Sequence, residues 1–321
     1  MSGRYESEMK IDDKLRRKMI NMPTILEEYY DSLIGAGKSY RTAQTYIENI
    51  IQFIKFNNDY REDFYEYIKP SHINKYIAST RTKNVNGKVK NTSDSHKTQH
   101  WSSLNSFFQF LIPEYLDNNP VASTQRPKMK DKPSVTYLTP DEIAIMFNNV
   151  EKFAQEKMKN RDLCIMKLGF AVGLRGSAIV HIDIEDLDLE HNQIKVTEKG
   201  DEDYWVMIGE NLKNQILLWL HDREKYFCES DSDALFLSQQ GNRFTVRSLT
   251  DIISKYTDGI DKHITPHVMR HSCATNLYDK TGDIYLCASQ LHHKNVTTTQ
   301  RYAELSKSKQ KKATSILDGL I

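Results

Sequence analysis

Apolar residues recur at helical spacing through most of the chain and at strand spacing in one short stretch. Residues 23–34 (PTILEEYYDSLI) carry the first amphipathic pattern, which breaks at Gly35, Gly37 and Ser39. A second pattern covers 40–57, with Tyr46, Ile47, Ile50, Ile51, Phe53 and Ile54 forming a broad apolar face. Helices are also expected over about 71–80 and 96–111, the latter burying Trp101, Leu104, Phe107, Phe108 and Leu111. Between them lies a basic stretch with Asn and Gly that reads as a loop, and Asn119-Pro120 ends the module. Residues 124–137 are rich in Lys, Pro and Gln and lack an apolar period, so they read as an extended linker.

After the linker, LTPDEI announces a helix. Thr139 is placed as N-cap, Pro140 at the first helical position, and Asp141 and Glu142 in the first turn. Another helix is expected over 161–173. The period then drops to two, predicting short strands at 187–189, 193–196 and 204–208. Helices return over 211–227, 246–255, 266–280, 284–291 and 308–317, with Gly319 as a stop. The pattern predicts a mainly α chain with a small antiparallel β-sheet. It divides into a leader (1–22), a helical domain (23–123), the linker (124–137), a second domain (138–305) and a tail (306–321).

Composition narrows the class. With 321 residues the chain can fill two ordinary cores. Apolar residues make up 39% and charged residues 27%, with no apolar run long enough to span a bilayer. The opening MSGRYESEMK lacks the apolar stretch of a secretory signal. Cys164, Cys228, Cys273 and Cys287 form no CxxC pair, which suits free thiols in a reducing, cytoplasmic compartment. The net charge of +1 says little, but its distribution says more. Basic residues gather at Arg81, Lys83, Lys88, Lys90 and Lys97, again at Arg126, Lys128, Lys130 and Lys132, and again at Lys307, Lys309, Lys311 and Lys312. Any one such run is an ordinary solvated face; three of them favour a polyanionic partner.

The densest chemistry lies in HVMRHSCATN, residues 267–276. His267 and Arg270 share a helix face, and His271 stands four residues from His267. An i,i+4 histidine pair can bind zinc, but the hydrolytic zinc motif has Glu after its first His, where this chain has Val268. Local capping or core hydrogen bonds are another use for the three residues. A third is an oxyanion cradle, since a guanidinium fork matches phosphate oxygens and an imidazole can donate to them. The cradle needs partners, and the sequence supplies candidates. Arg175 follows Gly173 where an apolar helix gives way to a turn, and Lys199 stands in the turn between two predicted strands. Tyr302 lies nine residues after His293.

The ordered set Arg, hairpin Lys, His-x-x-Arg, His, Tyr resembles the tyrosine recombinases, the phage-integrase family of site-specific DNA recombinases. GLRGSAIVHIDIEDLD is similar to the family's first Arg box, and TPHVMRHSCATNLYDKTGDIYLCASQLHHKNVTTTQRYA to its second box through the nucleophile. The N-terminal PTILEEYYDSLI, SYRTAQTY and LNSFFQFLI resemble the helical core-binding domain. The resemblance implies a helical core-binding domain joined to an α+β tyrosine-recombinase catalytic domain. It also implies that Arg175 and Arg270 clamp the scissile phosphate while His267 and His293 hydrogen-bond it. Lys199 then protonates the leaving 5′ oxygen and Tyr302 is the nucleophile. Such chemistry needs no metal, ATP or other cofactor. Implied partners are double-stranded DNA sites, a homo-tetramer on two such sites, and accessory DNA-bending or directionality factors, in a cytoplasmic, nucleoid-associated setting.

Three positions depart from the family pattern. Ala178 stands where an acid usually follows the first Arg by three residues, and His292 where Gly usually precedes the last His. Spacing to Tyr302 selects His293 over His292. The hairpin carries Asp201, Glu202 and Asp203 where basic residues are common, so these acids are expected to face away from DNA or to pair with Lys199. DNA contacts are expected from Lys38, Tyr40, Arg41 and Thr42, and from Lys97, Gln99 and His100. The tail residues Ala313, Ile316, Leu317, Leu320 and Ile321 are expected to dock on a neighbouring protomer. Two other functions compete: a DNA-binding accessory protein that has lost catalysis, and a type IB topoisomerase-like nicking and closing enzyme. A covalent adduct excludes the first; strand exchange between duplexes excludes the second.

Overall fold

The computed structural model describes residues 12–85, 88–128, 136–197, 203–230 and 232–292, the side chains of 83–90 excepted. The chain forms two compact units, Met1–Lys132 and Pro133–Ile321.

The first unit is a helical bundle. Its helices are α1 (12–19 among the described residues), α2 (Ile25–Gly35), α3 (Tyr40–Asn57), α4 (Pro70–Ser79) and α5 (Asp94–Phe110). Ser39 and Ser93 cap α3 and α5 by accepting from the backbone N–H of Thr42 and His96. The apolar faces read from the sequence meet in one aromatic core. Phe107 stacks on Phe64 with centroids 5.9 Å apart and meets Tyr29 edge-on at 5.2 Å. Inside this core runs a polar chain: Asn49 donates to Ser103 (2.9 Å), Tyr76 donates to the carbonyl of Asn49 (3.2 Å), and His100 pairs with Tyr76 (2.8 Å) and His96 (3.3 Å). Buried polar groups need such partners.

Two expectations fail here. His100 is only 2% exposed, so it is a core residue and not a DNA contact. The stretch taken for a loop contains a hairpin, β1 (Thr82–Val85) and β2 (Lys88–Asn91), antiparallel with Thr82 opposite Asn91. Its strands hold one apolar residue each, too few to show alternation; the Asn86-Gly87 pair between them was the available turn signal. The start of the supposed extended linker is also fastened down. Trp101 donates its indole N–H to Thr124 (2.8 Å), and Thr98 donates to the carbonyl of Pro127 (3.3 Å). The Arg126 guanidinium lies 5.9 Å from the Trp101 ring centre.

The second unit begins with α6 (Pro140–Phe153), capped by Thr139 as expected; the Glu142 side chain also accepts from the Thr139 backbone N–H, which completes a capping box. Then come α7 (Glu156–Lys167), a π turn (Leu168–Val172) and α8 (Gly176–His181). The small sheet follows, β3 (Leu187–Asp188), β4 (Gln193–Thr197) and β5 (Asp203–Met207), antiparallel in the order β3-β4-β5. The remaining helices are α9 (Glu210–Phe227), α10 (Val246–Ser254), α11 (Pro266–Thr281) and α12 (Ile284–Gln290). Trp219, Leu235 and Phe236 are fully buried in a core that α7, α9 and the sheet share. Within that core Arg161 pairs with Asp162 (2.6 Å) and donates to the carbonyl of Leu237 (2.7 Å), while Tyr256 donates to Asp162 (2.5 Å). The pair therefore has the extra hydrogen bonds a buried ion pair needs. Among the described residues no helix is long and apolar enough to cross a membrane. The helix expected over 308–317 lies outside the described residues.

Candidate active site

Close backbone packing brings the two arginine-bearing segments together. Gly173 ends the π turn with φ +78°, a backbone conformation glycine adopts without steric cost. A Cβ there would sit 2.7 Å from Leu291 Cδ2 and 3.1 Å from Cys273 Sγ. Three residues on, Gly176 opens α8 against Pro266, where a Cβ would lie 2.8 Å from the proline ring. Pro266 is the first residue of α11, capped by Thr265, and His267 follows it. Arg175 and the head of α11 are thereby placed side by side.

Arg270 is locked into this junction. It is 4% exposed; one terminal nitrogen donates to the carbonyl of Gly173 (2.8 Å) and the other to that of Leu291 (2.6 Å). The guanidinium thus ties the end of the π turn to the end of α12. His267 stays exposed, His271 is half-buried, and their ring centres lie 6.5 Å apart. Among the described residues no three metal-ligating side chains gather into a metal site.

Two further rings lie beside the arginines, and together these residues form the candidate cleft. Tyr204 on β5 and His292, just past α12, stack at 4.0 Å between ring centres with planes 31° apart. Burial raises the Tyr204 phenol pKa, and Arg270 and Arg175 pull it back. Burial lowers the His292 imidazole pKa, and Arg270 and Arg175 lower it further. Both guanidiniums therefore act on the same two rings.

Of the six residues expected to do chemistry, Arg175 and Arg270 act on the same two rings, and His267 lies one turn before Arg270 at the exposed head of α11. Lys199, His293 and Tyr302 lie outside the described residues. Ala178 is buried in the core, so it takes no part in the cleft. Asp203 of the acidic turn pairs with Lys195 (2.8 Å) and accepts from Thr197 (2.7 Å); Asp201 and Glu202 are outside the described residues.

The helical unit carries its own basic groove, lined by Arg81, Lys97, Arg126 and Lys128 together with Asn74 and Asn91. Two of the three basic runs in the sequence therefore meet on one surface. Lys97 is partly neutralised there by Asp94 at 2.8 Å.

Residues 136–309 match the model of the phage integrase family, and residues 25–117 match that of the phage integrase N-terminal SAM-like domain. The chain belongs to the phage integrase family. Among its relatives, tyrosine recombinase XerC of Psychromonas ingrahamii is 28% identical over 89% of this chain and 93% of its own length. Tyrosine recombinase XerD of Staphylococcus epidermidis is 29% identical over 91% of this chain and 97% of its own length. In fold the chain is similar to XerH site-specific recombinase bound to its difH substrate, with a TM-score of 0.65 and 22% identity over 88% of this chain and 81% of that one. It is also similar to a lambda integrase dimer bound to a core site, with a TM-score of 0.64 and 18% identity over 87% of this chain and 76% of that one.

The sequence did not single out Tyr204, nor its stacking with His292. Tyr204 was visible only as a strand residue. Its place opposite the Arg175–Arg270 pair depends on which side of β5 faces the cleft, and a five-residue strand does not declare that.

Proposed function

We propose that this phage integrase family member, a tyrosine site-specific recombinase, cuts and rejoins DNA through a phosphotyrosine intermediate in this cleft. The observation that supports the reading most is the meeting of Arg175 and Arg270 over the same two rings, with His267 at the head of the same helix. Two guanidiniums match a phosphodiester, which is already anionic and gains charge in a pentacoordinate transition state. Holding Arg270 on two backbone carbonyls removes most of the reorganisation it would otherwise need.

In the proposed reaction the Tyr302 oxygen attacks phosphorus and His267 accepts the phenolic proton. The bond from phosphorus to the 5′ oxygen breaks, and Lys199 gives that oxygen a proton. A free phenol has a pKa near ~10, so the neighbouring cations are needed to make its oxygen nucleophilic. The product is a 3′-phosphotyrosyl strand and a free 5′ hydroxyl. A 5′ hydroxyl from a second duplex then attacks the adduct and releases Tyr302, so the bond energy is kept and no nucleotide triphosphate is consumed. Double-stranded DNA sites are the substrate, held by the cleft and by the basic groove of the helical unit. Four copies act on two sites, with the 306–321 tail exchanged between neighbours.

The test uses a duplex selected for binding from a random library and nicked beside the expected cleavage point. A covalent protein–DNA adduct that disappears in Tyr302→Phe supports cleavage by this residue. Strand exchange between two such duplexes supports recombination. Binding without an adduct leaves the accessory-protein reading, and relaxation without exchange leaves the topoisomerase-like one.

A further inference from the structure

His292 occupies a costly place. It has φ +49°, in the left-handed region that glycine enters freely and other residues enter at a penalty. Histidine is among the side chains that tolerate this region better than most. The backbone around it is pinned: its own N–H donates to Ser289 (3.0 Å), and the preceding carbonyl, that of Leu291, accepts from Arg270 (2.6 Å). The guanidinium that anchors the cleft also anchors the peptide leading into this imidazole. The ring lies on Tyr204 and remains half-exposed. Three groups face it from three elements, Arg175 from the head of α8, Arg270 from α11 and Tyr204 from β5.

We propose that His292 is an additional phosphate-contacting residue, whose imidazole donates a hydrogen bond to a non-bridging oxygen of the DNA phosphodiester held between Arg175 and Arg270. The proposal rests on the reading of this cleft as the recombination site. A residue that served only to close α12 would be better as glycine at this φ, so packing alone does not explain a histidine. Stacking on Tyr204 fixes the ring plane, and the anchored Leu291 peptide holds the backbone that carries the ring. Without DNA, burial first and then the two cations disfavour a charged imidazole. An entering phosphate offsets their charge and offers an acceptor, so the imidazole takes up a proton as the phosphate arrives. Affinity for DNA therefore rises as pH falls through the histidine range.

Two substitutions separate contact from folding. His292→Gly suits the backbone and removes the imidazole; His292→Asn tolerates the same φ and keeps a donor that does not titrate. The full chain is titrated with a fluorescent mixed-sequence duplex at about pH 6 and about pH 8, within the range where imidazole changes charge. Wild type should bind on the order of five-fold tighter at the lower pH than His292→Asn does, within the roughly tenfold per pH unit that one linked proton allows. His292→Asn should match wild type at the higher pH, and His292→Gly should bind more weakly at both. Proton NMR of the histidine ring signals supplies the second readout. The signal missing in His292→Gly should shift its titration midpoint upward when the duplex is added. Equal pH ratios in wild type and His292→Asn, or a midpoint that the duplex leaves unmoved, would overturn the proposal while leaving the recombinase reading intact. Failure of wild type to bind the duplex at either pH would overturn both.

Discussion

Arg270 donates to the carbonyl oxygen of Gly173 at 2.8 Å, across 97 positions of sequence. The same guanidinium reaches Leu291 at 2.6 Å, so one side chain joins the π turn, α11 and the end of α12. That makes the candidate catalytic arginine a structural member as well. It can be rigid because its planar fork is satisfied by fixed backbone acceptors.

Lysine at this position keeps the charge and loses the fork. Arg270→Lys is expected to cost about 1–3 kcal/mol of stability, because a buried carbonyl loses its partner. DNA cleavage should fall by on the order of 10²–10³-fold, as for loss of one transition-state donor. Urea unfolding and the yield of covalent adduct measure the two effects separately. Unchanged unfolding would mean that the two carbonyl contacts contribute nothing.

Gly173→Ala is expected to destabilise the second unit by about 1–3 kcal/mol from backbone strain alone. The added methyl would also press on Leu291, whose Cδ2 is 2.7 Å from the ideal Cβ position. Gly35→Ala is the control: it lies in α2, at ordinary φ, with nothing within 4 Å, and should be neutral or stabilising by up to ~1 kcal/mol. Thermal melts of both variants check the contrast.

Acid should loosen the helical unit through His100. Burial first, and then His96, lower its pKa from 6.5 to about 4. Between those values the unfolded chain binds a proton that the folded one refuses, so stability rises with pH across this window and is lost as pH falls from 6.5 towards 4. The imidazole's contribution to that loss is about 3 kcal/mol. Urea unfolding at several pH values should show the slope in wild type and a shallower one in His100→Gln. Identical slopes would place the acid sensitivity elsewhere.

The basic groove should set affinity without setting sequence. Arg126→Ala and Lys128→Ala are expected to weaken binding to any duplex alike. Each lost phosphate contact should reduce the slope of log affinity against log salt by about 0.9. Anisotropy titrations over a salt series, with two unrelated duplexes, measure both numbers. An effect confined to one duplex would assign these residues to base reading instead.

Much of this molecule could be read from its sequence, and the physics explains which parts. Long amphipathic helices announce themselves through many residues, so α3, α5 and α9 stood out. The Thr139 N-cap and Pro140 at the first helical position did so through their fixed chemistry. The β1–β2 hairpin escaped because four-residue strands rich in Lys and Asn bury too little to show a period. His100 was mistaken for surface because a histidine's burial depends on partners far off in sequence, here Tyr76, which in turn donates to the carbonyl of Asn49. Arg175, His267 and Arg270 were singled out through their order and spacing. Their meeting point required Gly173 and Gly176, whose role as close-approach sites appears only once Leu291 and Pro266 are seen against them. Tyr204 left no sequence signal, since its partner His292 is 88 positions away.

The identity of the nucleophile decides whether this protein cuts DNA as proposed. A nicked duplex selected for binding, incubated with wild-type protein and digested, should yield one peptide carrying DNA, and mass spectrometry should place the link on Tyr302 through a 3′ phosphate. The adduct should be absent from Tyr302→Phe and strongly reduced in Arg175→Ala and Arg270→Lys. A link at another residue, a 5′ attachment, or an adduct that survives in Tyr302→Phe would contradict that proposal.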